Sequence, residues 1–250
     1  MDLGLRTRRA LVTGASSGLG LGCARALASE GVTVTLVARS QQRLDAAAAS
    51  LSGLPGAVHT AVADVSDPQQ VAAVVQHAEA EMGGIDILIA NAGGPPAGNF
   101  TSTDLDAYLP ALQLNLLSTV AMCKATVPAM CDRGWGRVVA ITSVSVRQPI
   151  PHLILSNTAR AGVTGFLKTL ALEVASQGVT VNSLQPGLHL TDRLASLYDD
   201  PSAVAKGVPS RTLGDPDDFG RIAAFLCSDA ARFVTGSHIP VDGGAYAGLQ

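Results

Sequence analysis

The run Thr13-Gly14-Ala15-Ser16-Ser17-Gly18-Leu19-Gly20 joins two stretches of different periodicity. Before it, Leu11-Val12-Thr13 closes a short apolar strand. After it, Gly18 to Ser29 has the apolar spacing of a helix, and Gly31 lies just past its end as a stop signal. Glycines at 14, 18 and 20 let the backbone turn tightly and come close to a pyrophosphate. The helix start turns free N–H groups and a positive dipole end towards that anion. Glycines alone can serve a tight turn and nothing else. Between a strand and a helix, at the first βα turn, they are specific.

The same alternation continues outward along the chain. Strands are predicted at Val32 to Ala38, Ala57 to Ala63, Asp86 to Ala90, Gly136 to Thr142, Val179 to Gln185 and His238 to Val241. Helical patterns fill the intervals: Gln41 to Leu51, Asp67 to Met82, Thr103 to Leu109, Ala111 to Asp132, Thr158 to Gln177 and one opened by Pro216. Strands apolar throughout and separated by helices imply a parallel sheet covered on both faces. No linker, repeat or charge run interrupts them. The fold class is α/β: a single doubly wound parallel sheet, the Rossmann fold, of about seven strands with helices on both faces. One domain spans 1–250, and the Pro-, Gly- and Asp-rich segment 187–215 within it is read as a substrate lid.

Composition narrows the function. The chain has 250 residues, 47% of them hydrophobic and only 15% charged, with a net charge of −3. That balance excludes a disordered chain and gives no basic footprint for nucleic acid. Mean hydropathy is +0.31, but no apolar run reaches the roughly 18 uninterrupted residues of a membrane span. MDLGLRTRRA carries basic residues with no apolar stretch behind them, so a secretory leader is not expected. Cys23, Cys123, Cys131 and Cys227 form no CxxC pair. They read as small buried hydrophobes in a reducing cytoplasm, and no metal site is expected.

Four motifs in order are similar to those of the short-chain dehydrogenase/reductase family: the TGxxxGxG turn, Asn91-Ala92-Gly93, Pro186-Gly187 and Val241-Asp242-Gly243-Gly244. The match runs from Arg8 to Gly244. The resemblance implies a nicotinamide cofactor, a small-molecule substrate and a homotetramer or homodimer. It assigns the cofactor to Gly14, Ser16, Ser17, Gly18, Leu19 and Gly20, to Asp64 and Val65 near the adenine, and to Asn91, Ala92 and Gly93 beneath it. Pro186, Gly187 and Thr191 follow, with Thr191 at the spacing of the threonine that meets the nicotinamide amide. Asp64 can equally cap the turn that follows it. The end of the second strand chooses between cofactors. Ala38 stands where NAD-preferring relatives carry Asp, and Arg39 follows it. A guanidinium is a natural fork for a 2′-phosphate, so NADP(H) is expected in preference to NAD(H). A solvated surface Arg is the plainer account of Arg39.

One departure matters. The family's Ser is present as Ser143, and Asn115 matches its helical Asn, which holds a water in a proton relay. The family's Tyr-x-x-x-Lys should open the next helix, but the chain reads Ser156-Asn157-Thr158-Ala159-Arg160. No Tyr lies between Tyr108 and Tyr198, so no register shift restores it. A serine hydroxyl is a far weaker acid than a phenol, and an arginine stays charged. Ser143 and Ser156 can still hydrogen-bond a carbonyl oxygen. His152, His189 and Tyr198 are the other candidate proton donors. Leu153, Leu155, Leu188, Leu190 and Leu194 would make an apolar pocket if they face it; packing in the core is the alternative. Two functions compete. One is an NADP(H)-dependent oxidoreductase with an atypical active site, acting on a carbonyl or alcohol, 3-oxoacyl or similar. The other is a catalytically silent dinucleotide-binding sensor or partner subunit.

Overall fold

The apolar strands assemble as expected. In the computed structural model, which describes residues 2–198 and 200–249, seven parallel strands form one sheet in the order β3-β2-β1-β4-β5-β6-β7. Met1, Asp199 and Gln250 of the expected domain lie outside the described residues. The strands are β1 (Arg9–Thr13), β2 (Thr33–Ala38), β3 (Val58–Val62), β4 (Ile87–Ala90), β5 (Gly136–Ile141), β6 (Val179–Pro186) and β7 (His238–Val241). Successive side chains point to opposite faces, and both faces are buried. Val12, Ile87, Ile89 and Val139 join the core beneath α1 (Gly18–Ser29), α2 (Gln41–Ser50) and α9 (Pro216–Cys227). Leu11, Leu88 and Val138 join the opposite core, beneath α3 (Pro68–Met82), α5 (Ser118–Asp132) and α6 (Ile154–Val174).

The strand order reverses between β1 and β4, which is the switch point where open α/β sheets bind ligands. Three local departures shape that point. First, α6 begins at Ile154 rather than at the expected Thr158. No side chain caps it. The loop after β4 fixes its start instead: Gly98 N donates to His152 O at 2.7 Å, and Ile154 N donates to Gly98 O at 3.2 Å. Ser156 and Arg160 therefore fall one turn apart on one helix face. Second, α4 (Tyr108–Leu112) runs into α5 through a π-helical turn, Gln113–Leu117, that carries the buried Asn115. Third, the described residues of segment 187–215 include two short helices, α7 (Asp192–Ala195) and α8 (Pro201–Ala205).

By length and composition the stretch Leu105–Asp132 could cross a membrane, with a mean hydropathy of 1.3. Here its Met122, Cys123, Val127 and Met130 pack into the core against the sheet.

Helices α1 and α9 cross at bare backbone. A Cβ on Gly22 would overlap the Pro216 carbonyl, and one on Gly220 would overlap the Gly22 carbonyl. Gly22→Ala should therefore force the two helices apart. The expected cost is about 1–3 kcal/mol, typical of overpacking, read as a lower urea midpoint at unchanged slope. An unchanged midpoint would contradict this packing.

Candidate functional site

One cleft of about 850 Å³ runs along the carboxyl ends of the strands and gathers most of the residues singled out in the sequence. Its first wall is the glycine-rich turn. Gly14 and Gly18 have φ of +58° and +56°, a region that costs glycine little and other residues more. A Cβ on Gly14 would lie 2.6 Å from Asn91 Nδ2. Gly20 does not line the cleft; a Cβ there would run into the Gly14 carbonyl. Asn91 Nδ2 donates to Gly14 O at 3.3 Å, and Asn91 N donates to Thr13 Oγ1 at 2.9 Å. The turn is thus braced from β4. Ser17 caps α1 without a side-chain bond, so the first-turn N–H groups stay open to an anion.

The adenine end is built on β2 and β3. Arg39 lines the cleft beside Ala38, and no carboxylate replaces Ala38. Sequence reasoning missed Arg43, four residues on in the first turns of α2. Its Nη2 donates to Ser17 Oγ at 3.0 Å and pairs with Asp192 Oδ2 at 3.2 Å. The signal was a second Arg at helical spacing from the first. Asp64 accepts Ser66 Oγ at 2.7 Å and Ser66 N at 2.9 Å. Those bonds, reinforced by Arg39, hold its carboxyl below the usual carboxylate range. Asp64 thus ties its own turn, as the capping alternative expects, and it also lines the cleft with Val65.

The other end gathers Ser143, Ser156 and Arg160. Arg160 is buried. Its Nη1 donates to Ile141 O and to Thr142 O, each at 2.9 Å, and its Nε donates to Ser156 Oγ at 3.2 Å. Burial first, and the nearby Arg193 second, push its guanidinium down to about 10, so it remains a cation at neutral pH. Ser143 Oγ accepts the Ser145 N–H at 3.0 Å. Both hydroxyl oxygens thus accept an N–H hydrogen bond from the protein and keep their own proton available to donate. Asn115 stands behind the cleft. Its Nδ2 donates to Gly93 O at 2.8 Å, while its buried Oδ1 has no hydrogen-bond partner among the described residues.

Thr191 caps α7 by accepting Leu194 N at 3.3 Å, and its methyl group faces Gly18. Ala92, Pro186, Gly187 and Tyr198 also line the cleft. The candidate histidines separate. His152 is exposed at φ +62° and does not line the cleft. His189 does, but its ring packs edge-on against Phe219 at 5.1 Å and its Nδ1 faces Gly187 O at 3.3 Å. Of the five leucines, Leu153, Leu188 and Leu194 line the cleft. Leu155 belongs to the buried core, and Leu190 is 56% exposed, outside the cleft.

Comparisons with known proteins find relatives along nearly the whole chain. The pattern of the family described as Enoyl-(Acyl carrier protein) reductase matches residues 14–246. Nodulation protein G of Azospirillum brasilense is 37% identical over 239 residues, covering 94% of this chain and 96% of that protein. Dehydrogenase/reductase SDR family member 4 of Bos taurus is 34% identical, covering 98% of this chain and 89% of that one. The crystal structure of L-sorbose reductase from Gluconobacter frateurii, complexed with NADPH and L-sorbose, superposes with a TM-score of 0.95 at 33% identity. It covers 100% of both chains.

The buried His189 and the half-buried His238 predict a pH dependence of stability. Burial lowers the pKa of His189, opposed by the Gly187 carbonyl and Asp215. Burial also lowers that of His238, with Lys168 and Arg147 adding to the effect. Below the unfolded value of about 6.5, the unfolded chain takes up protons that the native state refuses. Stability should therefore be full above that pH and fall as pH drops towards the lower native values. The urea midpoint should be lower at pH 5.5 than at pH 7.5, and His189→Gln should narrow the difference. An identical difference in both proteins would contradict the assignment.

Proposed function

The chain belongs to the short-chain dehydrogenase/reductase family, and on that premise we propose that it is an NADP(H)-dependent oxidoreductase of a carbonyl or alcohol with an atypical active site. The observation that carries this reading is the continuity of the cleft. It joins the glycine turn, Arg39 and Arg43 at one end to Ser143, Ser156 and Arg160 at the other. The cradle suits the cofactor: the turn carries no side chain at Gly14, where a Cβ would displace the Asn91 brace, the α1 N-terminus is open to an anion, and the Arg39 and Arg43 guanidiniums line the cleft. Asp64, Val65, Ala92, Gly93, Gly187 and Thr191 complete the contacts, with Asn91 and Gly20 bracing the turn from behind.

Bound there, a nicotinamide supplies or accepts the hydride. The protein's own part is to hold the substrate oxygen. Ser143 and Ser156 each have a hydroxyl proton free to donate to a carbonyl oxygen. Arg160 lends positive charge to the oxygen as negative charge develops there. Carbonyl reduction then places the hydride on carbon and a proton from water on oxygen. The unpartnered Asn115 Oδ1 suits the relay water that the family assigns to this Asn. Without a tuned phenol the proton arrives slowly, since general acid catalysis typically contributes about 10²–10⁴-fold. A 3-oxoacyl compound or a similar ketone suits the apolar walls. The reading includes a cytoplasmic location and a homodimer or homotetramer; the exposed Leu109 on α4, Leu117 in the π turn and Leu172 on α6 support the oligomer.

Two outcomes follow. NADPH should bind more tightly than NADH in a fluorescence titration, and Arg39→Asp should reverse the order; equal affinities in the wild type would defeat the cofactor assignment. Ser156→Tyr combined with Arg160→Lys should raise turnover on simple ketones by about 10²–10⁴-fold. A wild type that is already fast would contradict the account of Ser156 and Arg160. Cofactor binding with no turnover on any carbonyl would favour the silent dinucleotide-binding protein.

A further inference from the structure

The substrate half of the cleft is mostly apolar, with Pro96, Ile150, Leu153, Leu188 and Leu197 in its walls. Yet two guanidiniums face it. Arg160 lies buried on α6, and each of its hydrogen-bond partners is neutral: a hydroxyl and two carbonyls. Arg193 extends from lid helix α7, and its Nη2 donates to Pro95 O at 2.9 Å. Its guanidinium lies over Gly94, where a Cβ would come within 3.0 Å of Nε. Arg193 is close enough to Arg160 for the like charge to lower the latter's pKa.

Neither Arg160 nor Arg193 pairs with a carboxylate among the described residues. The described acids that line the cleft are already engaged at its other end: Asp64 with Ser66, and Asp192 with Arg43. Two like charges beside apolar walls are unfavourable until an anion joins them. Among the described residues the Arg193 guanidinium donates to one neutral carbonyl, that of Pro95, and the residue is exposed, so an incoming anion can replace that bond. A guanidinium's planar fork matches a carboxylate.

We propose that the substrate is an oxo acid, or the corresponding hydroxy acid in the reverse direction. Arg193 takes its carboxylate, and its reacting carbon lies beside Ser143 and Ser156. This rests on the oxidoreductase reading above and narrows its substrate class. In the forward direction one C=O becomes CH–OH. The carbon gains hydride as NADPH is oxidised to NADP⁺, the oxygen gains a proton from water, and the carboxylate is unchanged.

The test uses the full chain saturated with NADPH, with saturation followed by fluorescence before any acid is added. Hexanoate and its uncharged isostere hexanamide are then titrated by calorimetry. Hexanoate should bind at least about tenfold more tightly than hexanamide, Arg193→Gln should erase the preference, and Arg193→Lys should keep part of it. Equal affinities, or a preference that survives Arg193→Gln, would overturn the proposal. A preference seen only without NADPH would also overturn it, because the cofactor's phosphates would then be the anion that Arg193 receives. Failure to bind NADPH at the first step defeats the oxidoreductase reading instead, so the two failures are told apart.

Discussion

At the carboxyl ends of β1 and β4, Thr13 and Asn91 hold each other. Thr13 Oγ1 donates to Asn91 O at 2.7 Å and accepts Asn91 N at 2.9 Å, while Asn91 Nδ2 reaches Gly14 O. This small clamp sits where the strand order reverses, and the cleft depends on it. It fixes a turn in which Gly14 cannot carry a side chain and on which Gly20 closes from behind. Alpha helix α1 then starts in one orientation, with its N-terminal groups at the mouth of the cleft. The apolar layers on both faces of the sheet keep the two strands level.

The far end of the cleft is organised by a different economy. Arg160 could not remain in the interior without partners, because an unpaired buried charge is costly. The strand-end carbonyls of Ile141 and Thr142 and the Ser156 hydroxyl supply them. The Arg160 bond also orients the Ser156 hydroxyl, whose own proton is left without a partner among the described residues. Arginine here is a fixed cation as well as a structural post. In the proposed function it strengthens the field at the site offered to a carbonyl oxygen.

Most of the fold was legible in the sequence because short apolar runs and helix-spaced runs alternate cleanly, and Asp67-Pro68 and Asp215-Pro216 mark helix starts by known chemistry. What stayed hidden depended on tertiary contact. The start of α6 at Ile154 is set by the loop around Gly98, which no local signal announces. The π turn at Asn115 and the reach of Arg43 and Arg193 across the cleft also need the assembled sheet. The family resemblance is what sets Ser156 and Arg160 at the positions of the Tyr and Lys, and both line the cleft. His152 was a false lead, because nearness in sequence does not turn an exposed loop residue into a cleft.

The central claim is that one cleft holds the cofactor between Arg39 and Arg43 at one end and Ser143, Ser156 and Arg160 at the other. A co-crystal structure with NADPH tests it most directly. The account predicts the 2′-phosphate between the Arg39 and Arg43 guanidiniums, and nicotinamide C4 facing the Ser143 and Ser156 hydroxyls beside Arg160. A 2′-phosphate left in solvent, or a C4 turned away from both serines towards His189, would contradict it.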